Sequence, residues 1–117
     1  MAIEITIPGP IPSKKNSKRI IPGLKWPVPS KQYEKWERRL RNYFLRIPPV
    51  QGFIRIEIIF WWPDKRKCDL SNKAETVMDF LVEKKIIADD NWAVVPKLIL
   101  TSGGIDRENP RAVVIFE

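Results

Sequence analysis

Phe53-Ile54-Arg55-Ile56-Glu57-Ile58-Ile59-Phe60-Trp61-Trp62, then Pro63-Asp64-Lys65-Arg66-Lys67-Cys68-Asp69, then Leu70-Ser71-Asn72-Lys73-Ala74-Glu75 is the stretch on which the fold turns. Its first part is β-branched and aromatic and reads as a central strand. Its second part is a basic turn that runs straight into Cys68-Asp69. Its third part opens a helix expected from about Ser71 to Lys84, with Ala74, Val77, Met78, Leu81 and Val82 as the apolar positions. Ile86-Ile87 closes the connection to Asp89-Asp90, and a further strand is expected over Trp92 to Thr101.

Upstream, Ile3, Ile5 and Ile7 alternate with polar residues, which predicts a first strand. Residues 8 to 29 form a long loop holding Pro8, Pro10, Pro12, Pro22, Pro27 and Pro29, six of the eleven prolines. A loop of that length in a small domain is usually functional or mobile. Ser30 reads as an N-cap, followed by a helix to about Arg46 whose inner face is Tyr33, Trp36, Leu40 and Tyr43. Pro48-Pro49 ends it. Downstream, Ser102-Gly103-Gly104 reads as a turn and Arg111 to Phe116 as the final strand. The order β-α-β-α-β-β predicts an α+β fold, one domain over residues 1 to 117, with a mixed four-stranded sheet and two main helices packed on it.

The chain is basic, with net charge +7 over 117 residues. Inside it lies an acidic knot: residues 69 to 90 hold Asp69, Glu75, Asp79, Glu83, Asp89 and Asp90 against three lysines, a net of −3, so the remainder sums to +10. The basic remainder suits a polyanion such as nucleic acid. Clustered carboxylates would repel that polyanion unless a divalent cation sits between them, which is the requirement of metal-dependent phosphodiester cleavage. The chain has no histidine, which excludes histidine triads, His-ligated zinc and a histidine general base. Cys68 is the only cysteine, so no internal disulfide forms. Met1-Ala2-Ile3-Glu4 does not read as a signal peptide, and the apolar runs are too short to span a bilayer. A soluble cytoplasmic protein with no membrane partner is expected.

Asp69 falls at a strand-to-helix junction. Glu75 and Asp79 are four apart and share a helix face, and Asp89-Asp90 follows the helix closely. A helix reversing into a strand can carry Asp90 back towards Asp69, where hard oxygen ligands would suit Mg²⁺. Ordinary roles fit the same residues: Asp69 as a helix cap, Glu75, Asp79 and Glu83 as a solvated face, and Asp89-Asp90-Asn91 as a turn.

Asp69-Leu70-x-Asn72, a helix containing Asp79, and then Asp89-Asp90 resemble the RusA-like Holliday junction resolvases. Pro10-Ile11-Pro12-Ser13-Lys14-Lys15-Asn16 is similar to that family's opening Pro-Pro-Ser-x-Asn, so the resemblance covers nearly the whole chain. It implies a homodimeric, Mg²⁺-dependent crossover junction endodeoxyribonuclease, with Mn²⁺ as a substitute metal. Such an enzyme is bacterial or prophage-encoded and acts in DNA recombination and repair by paired nicks in four-way junctions. The family's metal-site aspartates map onto Asp69 and Asp90. The sequence departs from the family pattern at Ser71, where an aspartate is usual, and at Glu75, where a lysine is usual. Residues 71 and 75 lie about 40° apart around a helix, so Glu75 can return the carboxylate one turn later. Asp69, Glu75 and Asp90 are thus the expected catalytic and metal-binding set, with Asp89 as an additional ligand and Asn72 and Asp79 in support. Lys73 points away from residue 75 on this reading, which leaves Lys14 or Lys15 to supply the missing positive charge.

Lys14, Lys15, Lys18, Arg19, Lys65, Arg66, Lys67 and Lys73 are the candidate DNA contacts, with Arg38, Arg39 and Arg41 behind them. Each is individually as compatible with a role in solubility. Trp36, Trp61 and Trp62 are expected in the core or at a subunit interface. Trp92 is expected in the core, ahead of a role as a wall of the site. Two other functions remain open: a branched-DNA-binding protein that does not cleave, and a nuclease preferring flaps, forks or RNA.

Overall fold

The computed structural model describes residues 2–13, 18–19, 22–23, 28–29, 31–41 and 47–117. The elements are β1 (Ile3–Pro8), β2 (Lys18–Arg19), β3 (Val28–Pro29), α1 (Lys31–Leu40), β4 (Ile56–Trp62), α2 (Leu70–Glu83), β5 (Leu98–Ile105) and β6 (Arg111–Phe116). Ser30, Tyr43 and Arg46 lie outside the described residues, so the expected cap and the far end of the first helix do too.

The main sheet has strand order β1-β6-β4-β5. β6 pairs antiparallel with both β1 and β4, whereas β4 and β5 are parallel. Parallel neighbours need a crossover rather than a hairpin, and α2 provides it. The mixed four-stranded sheet with two helices is the architecture expected from the sequence. The two-residue strands β2 and β3 pair with each other inside the Pro-rich loop.

Period-2 alternation explains the core. Ile5 and Ile7 of β1, Ile56, Ile58 and Phe60 of β4, and Ala112, Val114 and Phe116 of β6 are all buried. They join Val77, Phe80 and Leu81 of α2 and Tyr33, Trp36 and Leu40 of α1 in one cluster. Trp36 packs its ring 5.4 Å from that of Phe80 and donates its indole N–H to the carbonyl of Pro8 at 3.0 Å. That contact fastens α1 to the end of β1. The alternate sheet residues Ile59, Trp61, Val113 and Ile115 are only half-buried.

The strand expected at Trp92 to Thr101 and the turn expected at Ser102-Gly103-Gly104 are both displaced. Asn91 organises the chain after Asp90: its side-chain oxygen accepts from Ala93 and Val94 N–H, and its carbonyl accepts from Val95 N–H at 2.8 Å. An Asn that bonds the backbone ahead of it holds a turn, so β5 starts only at Leu98. It then runs straight through Ser102-Gly103-Gly104 to Ile105. The glycines serve a close approach instead of a reversal. A Cβ on Gly103 would stand 2.8 Å from Cε2 of Trp61 on the neighbouring strand, and the β4–β5 register shifts beside that contact, between Phe60 and Trp61. The reversal comes later, where Asp106 accepts from Asn109 N–H at 3.1 Å.

Candidate metal and nucleic-acid site

The turn leaving β4 is built by its own charges. Asp64 accepts from the backbone N–H of Arg66 at 2.9 Å and from its guanidinium at 2.9 Å. Those bonds from Arg66 hold the Asp64 carboxyl below the usual carboxylate range. The pair is solvent-exposed and adds little to stability, but it fixes the turn's shape and presents Lys65 and Lys67 to solvent.

Asp69 follows in the N-cap position of α2, with extended backbone (φ −80°, ψ 127°) and no side-chain capping bond. Its exposed carboxylate accepts from Asn72 Nδ2 at 3.4 Å. It is therefore not consumed as a cap. Asp69 lines a groove of about 290 Å³ with Ser13, Lys67, Cys68, Asn72 and Lys73.

Lys73 is placed differently from the expectation. It does lie on the far side of α2 from Glu75, but that side is the Asp69 groove. Its Nζ donates to the carbonyl of Ile11 at 2.7 Å, and burial pushes its pKa below the usual lysine value. The signal was available in the sequence, because Asp69 and Lys73 are four apart and helical residues at that spacing are neighbours.

Glu75 and Asp90 do meet on one surface. Together with Ser71, Ala74, Met78, Trp92, Val95, Leu98 and Leu100 they line a hollow of about 420 Å³. The helix supplies Ser71 and Glu75 one turn apart, and the Asn91 turn supplies Asp90. Asp89 supports this turn, accepting from Asp90 N–H at 2.8 Å and Asn91 Nδ2 at 2.9 Å. The backbone bond from Asp90 and the side-chain bond from Asn91 lower the Asp89 pKa. Trp92 is 86% exposed, which overturns its expected place in the core and leaves it as a wall of the acidic hollow. Asp79 is half-buried further along the helix.

The acids thus divide between two faces of the first turns of α2. Among the described residues, no group of three or more His, Cys, Asp or Glu stands close enough to enclose a metal ion. The donor set nonetheless fits Mg²⁺, which prefers hard oxygens and commonly takes only one or two carboxylates, completing its shell with water and substrate phosphate.

Of the basic candidates, Lys65, Arg66 and Lys67 are exposed beside Asp69. Lys14 and Lys15 lie outside the described residues, as do the side chains of Lys18 and Arg19. Arg39 donates to the carbonyl of Gly9 at 3.0 Å and so ties α1 to the end of β1. No helix among the described residues is long and apolar enough to cross a membrane.

A comparison with curated proteins finds no match. The family model described as Endodeoxyribonuclease RusA matches residues 4–116, from β1 to the last residue of β6, and the chain belongs to that family.

Proposed function

We propose that the protein is a Mg²⁺-dependent, structure-selective DNA endonuclease that resolves four-way junctions by paired nicks. The observation that carries this reading is the hollow shared by Ser71, Glu75 and Asp90. A carboxylate stands one helical turn from the serine that occupies the family's aspartate position, and lines the same hollow as Asp90. Glu75 and Asp90 in that hollow would hold Mg²⁺, with Mn²⁺ as its substitute, and Asp69, on the other face of α2, would join them only if the first turn of the helix shifts when metal and DNA bind. The bound ion supplies charge neutralisation at the scissile phosphate and lowers the pKa of water.

The chain's own residues do the rest. Asn72 orients the Asp69 carboxylate through its amide N–H. Lys73, anchored on the Ile11 carbonyl, sets a positive charge beside Asp69 where the family pattern's lysine is absent. Lys65 and Lys67 hold the flanking phosphates, which position the substrate without reading its sequence. Water attacks phosphorus and the 3′ oxygen leaves, so the product carries a 5′-phosphate. A C2 homodimer offers two such sites to a junction of approximate two-fold symmetry, and the half-buried Ile59, Val113 and Ile115 give it an apolar face to use.

The test is a labelled synthetic junction incubated with Mg²⁺, with Mn²⁺ and with EDTA. Symmetric metal-dependent nicks, lost in Asp90→Asn with binding retained, support the reading. Tight junction binding without nicking under any divalent ion would sink it. A second reading, a branched-DNA-binding protein that does not cut, draws on the division of the acids between two faces of α2, and the same assay decides between them.

A further inference from the structure

A second hollow adjoins the Asp69 groove and is not accounted for by metal binding. It measures about 370 Å³, within the roughly 300–1,000 Å³ typical of small-ligand sites. Its walls include Trp61 and Trp62 at the end of β4, Gln32 of α1, Lys67 and Lys73, and Asp64, whose charge is paired with Arg66. Lys67, Cys68 and Lys73 line both this hollow and the Asp69 groove, so the two are neighbours across the same side chains.

The Trp62 indole is held in place before any ligand arrives. It stacks on the fully buried Phe60 ring at 5.3 Å with an interplanar angle of 9°, and its N–H donates to Ser102 Oγ at 2.7 Å. It is nevertheless only half-buried. A rigid aromatic plane beside two lysines matches a ligand that carries a π-face and a phosphate together. Nucleic-acid bases stack on such planes with little regard to sequence. At a branch point base stacking is interrupted, so unstacking a nucleotide there costs least.

We propose that this hollow captures one unstacked nucleotide of branched DNA, with its base against Trp62 and its phosphate between Lys67 and Lys73. Gln32 lines the same hollow, and an amide can hydrogen-bond a base edge. Capture here would set the adjoining phosphodiester beside Asp69. This rests on the nucleic-acid reading above and adds to it the source of branch selectivity.

The experiment measures junction binding by fluorescence anisotropy in EDTA, with single abasic sites placed in turn at each nucleotide flanking the branch. The expected result is one position at which the abasic site weakens wild-type binding by about 5- to 150-fold, the range of a lost base–aromatic stack. Trp62→Leu should bind the intact junction more weakly by a similar factor and be indifferent to that abasic site, and Trp62→Phe should recover the discrimination. The proposal is overturned if no abasic position weakens the wild type by more than about twofold, a result that needs no variant to fold. It is also overturned if Trp62→Leu and wild type lose equally at every position, or if Trp62→Leu acts only by shifting a dimer to a monomer. Because no metal is present, the two readings fail separately. Nicking without abasic discrimination refutes nucleotide capture alone, and discrimination without nicking refutes cleavage alone.

Discussion

Gly103→Ala should destabilise the protein, although it replaces glycine with a better-ordered residue. The added Cβ would lie 2.8 Å from Trp61 Cε2 and 3.0 Å from Cδ2 and Cζ2, so the indole must retreat by several tenths of an ångström. The ring is not free to do so, because the Arg111 guanidinium lies 4.8 Å from it and is itself held by Asp106 Oδ2 and the Asn109 carbonyl, each at 2.9 Å. Overpacking of this kind costs about 1–3 kcal/mol. Loss of glycine's freedom in the unfolded chain offsets about 0.4–1 kcal/mol of that. The net is a loss of up to about 2.6 kcal/mol, centred on about 1.3 kcal/mol, or a fall in Tm of about 5 °C for a chain of this size. Urea denaturation followed by circular dichroism reads it directly. Trp61→Leu in the same chain should remove most of the penalty, so the double mutant cycle shows strong coupling. A cycle in which Gly103→Ala and Trp61→Leu show no coupling would refute the close β4–β5 contact.

Glu75→Gln should lower metal-dependent nicking by at least about tenfold, and Ser71→Asp in that background should recover part of it, because residues one turn apart face the same hollow. If Ser71→Asp gives no recovery in a nicking assay, the two positions do not serve one site. Lys73→Met should slow nicking by about 10²–10³, the scale of losing one fixed charge-stabilising group, and should also weaken junction binding and lower its salt dependence, because Lys73 shares the captured nucleotide's phosphate. Lys73 also carries a pH signature. Its folded pKa lies below the unfolded value, so its contribution to stability is complete above about pH 10.4 and is lost as pH falls through the folded value. Urea titrations across alkaline pH should show that rise in wild type and not in Lys73→Met. Lys65→Ala and Lys67→Ala should each reduce the slope of log affinity against log salt by about 0.9, and an unchanged slope would remove that residue from the phosphate contacts.

The fold was legible where hydrophobic periodicity stood without competition. The alternation at Ile3, Ile5 and Ile7, the run ending at Trp61-Trp62 and the final strand ending at Phe116 each align with an observed strand. The misplaced third strand shows the limit. Trp92, Val94 and Val95 have strand-like composition, but one Asn side chain bonding forward to two backbone N–H groups overrides it. The glycine pair looked like a reversal because local sequence does not reveal that a tryptophan on the adjacent strand needs the space. At the site, the i, i+4 spacing of Ser71 and Glu75 placed them together as expected. The same spacing between Asp69 and Lys73 carries equal information, and the two line one groove. The hollow beside Trp62 was not legible at all, since Pro10, Gln32 and Lys67 come together only through tertiary packing.

The division of the acids has a consequence for binding that separates metal from mere charge. Without a divalent ion, the exposed Glu75 and Asp90 carboxylates in one hollow oppose an approaching phosphate backbone. A carboxylate about 10 Å from a phosphate costs about 0.4 kcal/mol in water, so two phosphates within that range weaken binding by roughly fourfold at low salt. Asp90→Asn should therefore bind junctions more tightly than wild type in EDTA, although it does not cut. Adding Ca²⁺ should tighten wild type towards the variant and leave the variant almost unmoved, because the ion and the substitution remove the same repulsion. Screening at higher ionic strength should erase the difference. If Asp90→Asn instead binds more weakly than wild type in EDTA, the acidic hollow does not face the DNA. The catalytic assignment of Glu75 and Asp90 would then fall, whatever the effect of the substitution on nicking.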